Sequence, residues 1–290
     1  MLTNLNCGGC SETTQSRTID ALRFPLAFLV IYIHSFGEPL TENPDLGVAV
    51  YDNLRIFISH IISRVSVPLF YLMSGYLFFY KVEDFSKAVY LKKLKSRCRT
   101  ILIPYLVWNI LYILNVVVRK IGKGILHPDY DSMGEITAYF SSHGWLNMFW
   151  SCNVWPFRTS WFGWDLPSSG PVIVHLWFLR DLMVVVLLSY VLYTLIKRFG
   201  LAFLFLLFFC SILGLWPNIP GLSAGCFLYF GMGAYMSINK KNLLVEFSRY
   251  AKPILLTILM VIFKSDFTFI KESPIIDPIH PVLPRFPRYT

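Results

Sequence analysis

Residues 23–34 read RFPLAFLVIYIH, an arginine and a histidine bracketing ten residues without a charge. As an α-helix, the eleven steps from Arg23 to His34 turn through about 1100°, three turns plus about 20°, and rise about 16 Å. Both side chains then share one helix face, Arg23 near one mouth of a membrane span and His34 deeper. On insertion scales a central arginine costs about 2.5–3.5 kcal/mol, so an ionisable group inside a span normally faces a polar cavity. The plainer alternative for Arg23 is snorkelling to the headgroups. Pro25 suits a first helical turn, where its missing N–H is no loss. Asp20 stands where an N-cap or first-turn acid belongs.

The rest of the chain is equally suited to lipid. Of 290 residues, 55% are hydrophobic and 15% charged, and the mean hydropathy is +0.55; about a quarter of a soluble domain is charged. Apolar segments stand out at 21–39, 56–80, 100–118, 172–196, 201–216, 219–238 and 253–263. A crossing needs about 20 residues. The first six suffice, with tilt or thinning for the shortest, and the last is too short alone. The expected fold is an all-α polytopic transmembrane bundle: residues 1–20 a cytoplasmic tail, 21–263 the membrane domain, 264–290 a proline-rich, loosely extended tail. The first 20 residues lack the apolar core of a cleavable signal peptide, so the first span itself would direct insertion.

The net charge of +9 falls in short loops. Residues 40–55 hold Glu42, Asp45 and Asp52, whereas 81–99 hold Lys81, Lys87, Lys92, Lys93, Lys95, Arg97 and Arg99. Lys197 and Arg198, then Lys240, Lys241, Arg249 and Lys252, follow on alternate connections. This pattern follows the positive-inside rule, with a cytoplasmic N-terminus and 40–55, 119–171 and 217–220 outside. A nucleic-acid partner is not indicated, for there is neither a basic domain nor a nucleic-acid-binding motif. The lone CGGC of Cys7 and Cys10 has no second pair to complete a zinc site, and the cysteines read as reduced thiols.

Four further stretches carry chemistry. The second span, IFISHIISRVSVPLFYLMSGYLFFY, puts His60 and Arg64 on one face. Pro68 should kink it, with a second weak point at Ser74-Gly75. The fourth span opens VHLWFLRD, placing His175, Trp177, Arg180 and Asp181 in its first third; Arg180 and Asp181 either pair with each other or take separate partners. The run KKLKSRCRTILIPY carries Lys95, Arg97 and Arg99 into the third span. It suits either an anchor on anionic lipid or a clamp for phosphates. Loop 119–171 holds five of the eight tryptophans: an interfacial helix and loop, or an aromatic platform for a sugar or lipid-linked acceptor.

Taken in order, RFPLAFLVIYIH, VPLFYLMSGYLFF, the basic run before ILIPY, and HLWFLRDL resemble landmarks of the acyltransferase-3 family of integral membrane O-acyltransferases, over about residues 17–240. The resemblance implies transfer of an acetyl or other short acyl group from cytoplasmic acyl-CoA to a hydroxyl of a surface glycan or its lipid-linked precursor, in a bacterial inner membrane. It implies a donor substrate and no permanently bound cofactor or metal. His34 would be the essential histidine and Arg23 its partner. Lys95, Arg97 and Arg99 are candidates for the coenzyme A phosphates; His60, Arg64, Ser74, His175, Trp177 and Arg180 for the substrate cavity. A hydroxyl attacking a thioester needs a base, and histidine serves near neutral pH; an acyl-histidine relay is the alternative. Two other readings are a carrier for a lipid-linked sugar, with the same intramembrane cations, and an inactive family member shortened after about residue 263.

Overall fold

The computed structural model describes residues 8–34, 46–161, 164–217 and 219–247. Two compact units divide the chain, Met1–Lys241 and Asn242–Thr290. Of the second, a short helical stretch over 243–247 is described; the Asn242 side chain accepts from the N–H groups of Leu244 and Val245 at its start, at 3.0 and 3.3 Å. The apolar segment 253–263, the tail 264–290 and the last five residues of the first span lie outside the described residues.

The first unit is an all-α membrane bundle with one small hairpin. Helix α1 (Gly8–His34) runs unbroken for 27 residues. Residues 8–20 are therefore helical and continuous with the first span, Asp20 is not a cap, and Pro25 lies in the interior. Tertiary contact overrides those local signals. Ile19 and Leu26 are buried, and buried Gln15 donates to the Tyr76 hydroxyl at 2.5 Å. Phe24, Phe28 and Ile31 stay exposed on the far face, the side suited to lipid. Burying one stripe over several turns outweighs a proline that removes one ladder bond.

Helix α2 (Leu46–Ile56) occupies most of the expected loop 40–55, and its Asp52 and Arg55 pair at 3.1 Å. A π-helical turn, Phe57–Ile62, and a 3₁₀ turn, Ser63–Val65, lead into α3 (Ser66–Phe79). The kink expected at Pro68 is thus spread upstream: the proline ring crowds the Arg64 carbonyl, and a widened then tightened turn absorbs the misfit. Ser74-Gly75 makes no break. Helix α4 (Lys87–Arg97), a π-turn Cys98–Leu102 just before Pro104, and α5 (Ile103–Leu126) form one 40-residue run.

The tryptophan-rich segment is more ordered than a loop. Helix α6 (Ser132–His143) is capped by Asp131 and tied to α5 by a 2.8 Å Lys120–Glu135 pair; the Lys120 hydrogen bond holds the Glu135 carboxyl below its ordinary range. An antiparallel hairpin follows, β1 (Asn153–Trp161) with β2 (Trp164–Gly170). Helices α7 (Trp177–Leu187) and α8 (Ser189–Phe199) meet at 65°, so the fourth span is broken rather than straight. At the break the Leu187 carbonyl accepts the Tyr90 hydroxyl of α4 at 2.7 Å. Helices α9 (Leu201–Ile212) and α10 (Ala224–Ile238) are apolar but shorter. Among the described residues, Gly47–Phe79 and Lys87–Leu126 are long and apolar enough to cross a membrane, and the bent pair makes a third if it is one span.

The core sits where α3 and α10 run parallel in backbone contact. A Cβ at Gly75 would lie 2.0 Å from the Phe230 carbonyl oxygen, and one at Gly233 2.0 Å from that of Leu72. Small residues permit such close approach between membrane helices. Around them Phe79, Phe85 and Tyr193 pack with ring centroids 4.9–5.8 Å apart, joining α3, the connection before α4, and α8.

Candidate functional site

At one end of the bundle, cations gather around Phe78. Lys93 and Arg97, four residues apart on α4, stand over its ring at 5.6 and 6.0 Å. Arg23 of α1 lies near enough to Arg97 for the two charges to repel, and Asp20 offsets part of this charge through a 3.0 Å pair with Arg23. Like charges grouped in this way raise the local positive potential. Lys95 and Arg99 are exposed and fall outside the cluster. The alternation of the basic run thus sorts its members: positions 93 and 97 face inward, 95 and 99 outward. Lys93 was not among the candidates singled out from the sequence; its i,i+4 spacing to Arg97 was the available signal.

At the C-terminal end of α1, the His34 ring stacks on His175, with centroids 3.8 Å apart and planes inclined by 28°. His34 is half-buried and His175 exposed. Two of the histidines singled out from the sequence, from the first and fourth apolar segments, are therefore in contact. His175 lies in the 3₁₀ turn Val174–Leu176, next to Trp177, the half-buried first residue of α7.

Arg180 and Asp181, 3% and 2% exposed, form a structural hub. Arg180 Nε and Nη2 donate to Asp181 Oδ1 at 3.0 and 2.9 Å. Its Nη1 donates to the carbonyls of Trp150 and Ser169 at 2.7 and 2.9 Å, and the guanidinium lies over the Trp150 ring at 5.5 Å. Asp181 Oδ1 also accepts the Gly221 N–H at 3.0 Å. Protein groups thus engage every nitrogen of Arg180, which ties the tryptophan-rich segment and the turn before α10 to α7.

Helix α5 supplies two further ties that the sequence reading passed over. The Tyr105 hydroxyl donates to the Phe149 carbonyl at 2.5 Å. Asn109, fully buried, accepts the Ile173 N–H at 3.3 Å and donates to the Tyr105 carbonyl at 2.8 Å. A polar pair four residues apart in an apolar span was the signal. Of the remaining candidates, Arg64 is exposed in its 3₁₀ turn and Ser74 half-buried on α3. The His60 backbone belongs to the π-turn, and its side chain lies outside the described residues. No three His, Cys, Asp or Glu side chains gather as metal ligands among the described residues.

A family model for the acyltransferase domain, acyltransferase-3, matches residues 17–284. The chain is also similar to the succinoglycan biosynthesis protein ExoH of Rhizobium meliloti (strain 1021). The two are 30% identical over 247 residues, covering 84% of this chain and 59% of the relative. The chain therefore spans about three fifths of that relative's length. No solved structure matches it.

Proposed function

This chain belongs to the acyltransferase-3 family, and as an integral membrane acyltransferase, we propose, it moves an acetyl or other short acyl group from acyl-CoA to a hydroxyl of a surface glycan or its lipid-linked precursor. The observation that carries the reading is the placement of the cation cluster beside the middle of α1 and of the histidine pair at its C-terminal end. Arg23 and His34 are about 16 Å apart along that helix. A second ruler agrees: Arg97 and Asn109, which holds the backbone two residues before His175, are about 18 Å apart along the α4–α5 run. An extended pantetheine arm separates the phosphates of coenzyme A from its thioester by a comparable length. Phosphates on Arg23, Lys93 and Arg97 would therefore deliver the thioester to His34.

In the proposed reaction, the acceptor hydroxyl gives its proton to the His34 imidazole as its oxygen bonds to the acyl carbon. The carbon–sulfur bond breaks, and the departing thiolate takes up that proton. The positive-inside pattern puts the cation cluster on the cytoplasmic side of an inner membrane, where acyl-CoA is made, with the N-terminus cytoplasmic. A glycan acceptor is supported by the similarity to a succinoglycan biosynthesis protein. Membership of an acyltransferase family favours this reading over a carrier for lipid-linked sugars.

The test is His34→Ala, assayed by mass spectrometry of surface glycans and by acetyl-CoA consumption in membranes bearing the full chain. Loss of a general base lowers the rate by about 100-fold or more, with the variant inserted and abundant. Unchanged glycan acylation in that variant refutes the reading.

A further inference from the structure

The contact between the two histidines has a geometry that separates two roles for His175. The ring nitrogens of an imidazole donate and accept in the plane of the ring. At 3.8 Å between centroids and 28° between planes, the rings meet face to face. The nitrogens of His34 therefore point past the His175 face, and no direct proton transfer runs between the rings. The contact instead settles the orientation of the His34 ring.

The backbone that carries His175 is pinned on both sides. Before it, the Ser169 carbonyl is held by Arg180 at 2.9 Å, the Val172 N–H by the Met148 carbonyl at 2.7 Å, and the Ile173 N–H by buried Asn109 at 3.3 Å. After it, Arg180 and Asp181 are locked together and to the turn at Gly221. Three segments distant in sequence thus converge on one short turn, and the exposed His175 ring is the part of that turn that meets His34.

We infer that His175 is a positioning residue, a rigid aromatic plate against which the His34 imidazole is aimed, and that Asn109 acts through it by holding the turn. The inference rests on the reading of His34 as the base. A planar ring that cannot titrate should then replace His175, while a small side chain should not. Misplacing a catalytic group by about 1 Å lowers a rate by about 100-fold.

The experiment compares His175→Phe, His175→Ala and Asn109→Ala in the full chain, reconstituted in nanodiscs, with acetyl-CoA as donor and glycan extracted from cells as acceptor. His175→Phe is expected to keep kcat within about threefold, because it preserves the stacking face. His175→Ala should lose about 10- to 100-fold in kcat, and Asn109→Ala about tenfold, each with the KM for acetyl-CoA unchanged. Melting temperature and yield, measured alongside, separate misplacement from misfolding. If His175→Phe is as inactive as His175→Ala while both are folded, the imidazole itself is required and the positioning role is refuted. Wild-type kcat in His175→Ala refutes it equally. His34→Ala is the control: activity there overturns the parent reading, whereas its loss together with an inactive, folded His175→Phe overturns only the present one.

Discussion

At the scale of single residues, the basic run shows how burial sorts chemically equal side chains. Lys93 and Arg97 lie over Phe78 beside Arg23, while Lys95 and Arg99 are exposed. A charge-assisted hydrogen bond to phosphate contributes about 1.5–3 kcal/mol, which corresponds to about tenfold or more in affinity. Under the proposed donor assignment, Lys93→Gln and Arg97→Gln each raise the KM for acetyl-CoA by about that factor with little effect on kcat. Lys95→Gln and Arg99→Gln change it by less than about twofold, since exposed charges are screened. Steady-state kinetics over a range of donor concentrations checks this. Equal effects at all four positions would point to diffuse attraction between the run and anionic lipid instead.

At the scale of elements, the α3–α10 contact carries the clearest stability prediction. At Gly75 and Gly233 an added methyl would meet a carbonyl oxygen of the facing backbone, which cannot swing aside as a side chain does. Gly75→Ala and Gly233→Ala should each destabilise the bundle by about 1–3 kcal/mol, the range for overpacking a tight core. Gly122 on α5 is the contrast: nothing lies within 4 Å of a Cβ there. Gly122→Ala should be neutral or stabilise by up to about 1 kcal/mol through helix propensity. Thermal or denaturant unfolding in detergent distinguishes the three. The prolines act at this scale too. Pro68 and Pro104 each follow a π-helical turn, whereas Pro25 sits in an unbroken helix whose buried stripe holds it straight.

At the scale of the whole molecule, the long helices set the distance between the cation cluster and the histidine pair, and the tryptophan-rich segment closes on α5 and α7. The orientation proposed for the membrane makes its own prediction. A periplasm-active reporter fused after Asp45 should be active, and one fused after Phe199 inactive. The reverse pattern would put the cation cluster on the outer side and exclude cytoplasmic acyl-CoA as its ligand. The bend between α7 and α8 makes the second fusion the more informative, because a broken span need not cross.

The amino-acid sequence alone determined the class, an all-α membrane protein, and the one-face spacing of Arg23 and His34. Both follow from local periodicity, which a chain carries wherever it packs. It also supplied both members of the histidine stack, but not their contact. Only the tertiary structure decided that α1 extends back to Gly8, that Lys93 rather than Lys95 faces inward, that the tryptophan-rich segment pairs as a hairpin, and that Arg180 is consumed in tying that segment down. Each of these depends on which neighbour a face is pressed against. That is set by contacts between residues far apart in sequence, and no window of sequence contains both partners.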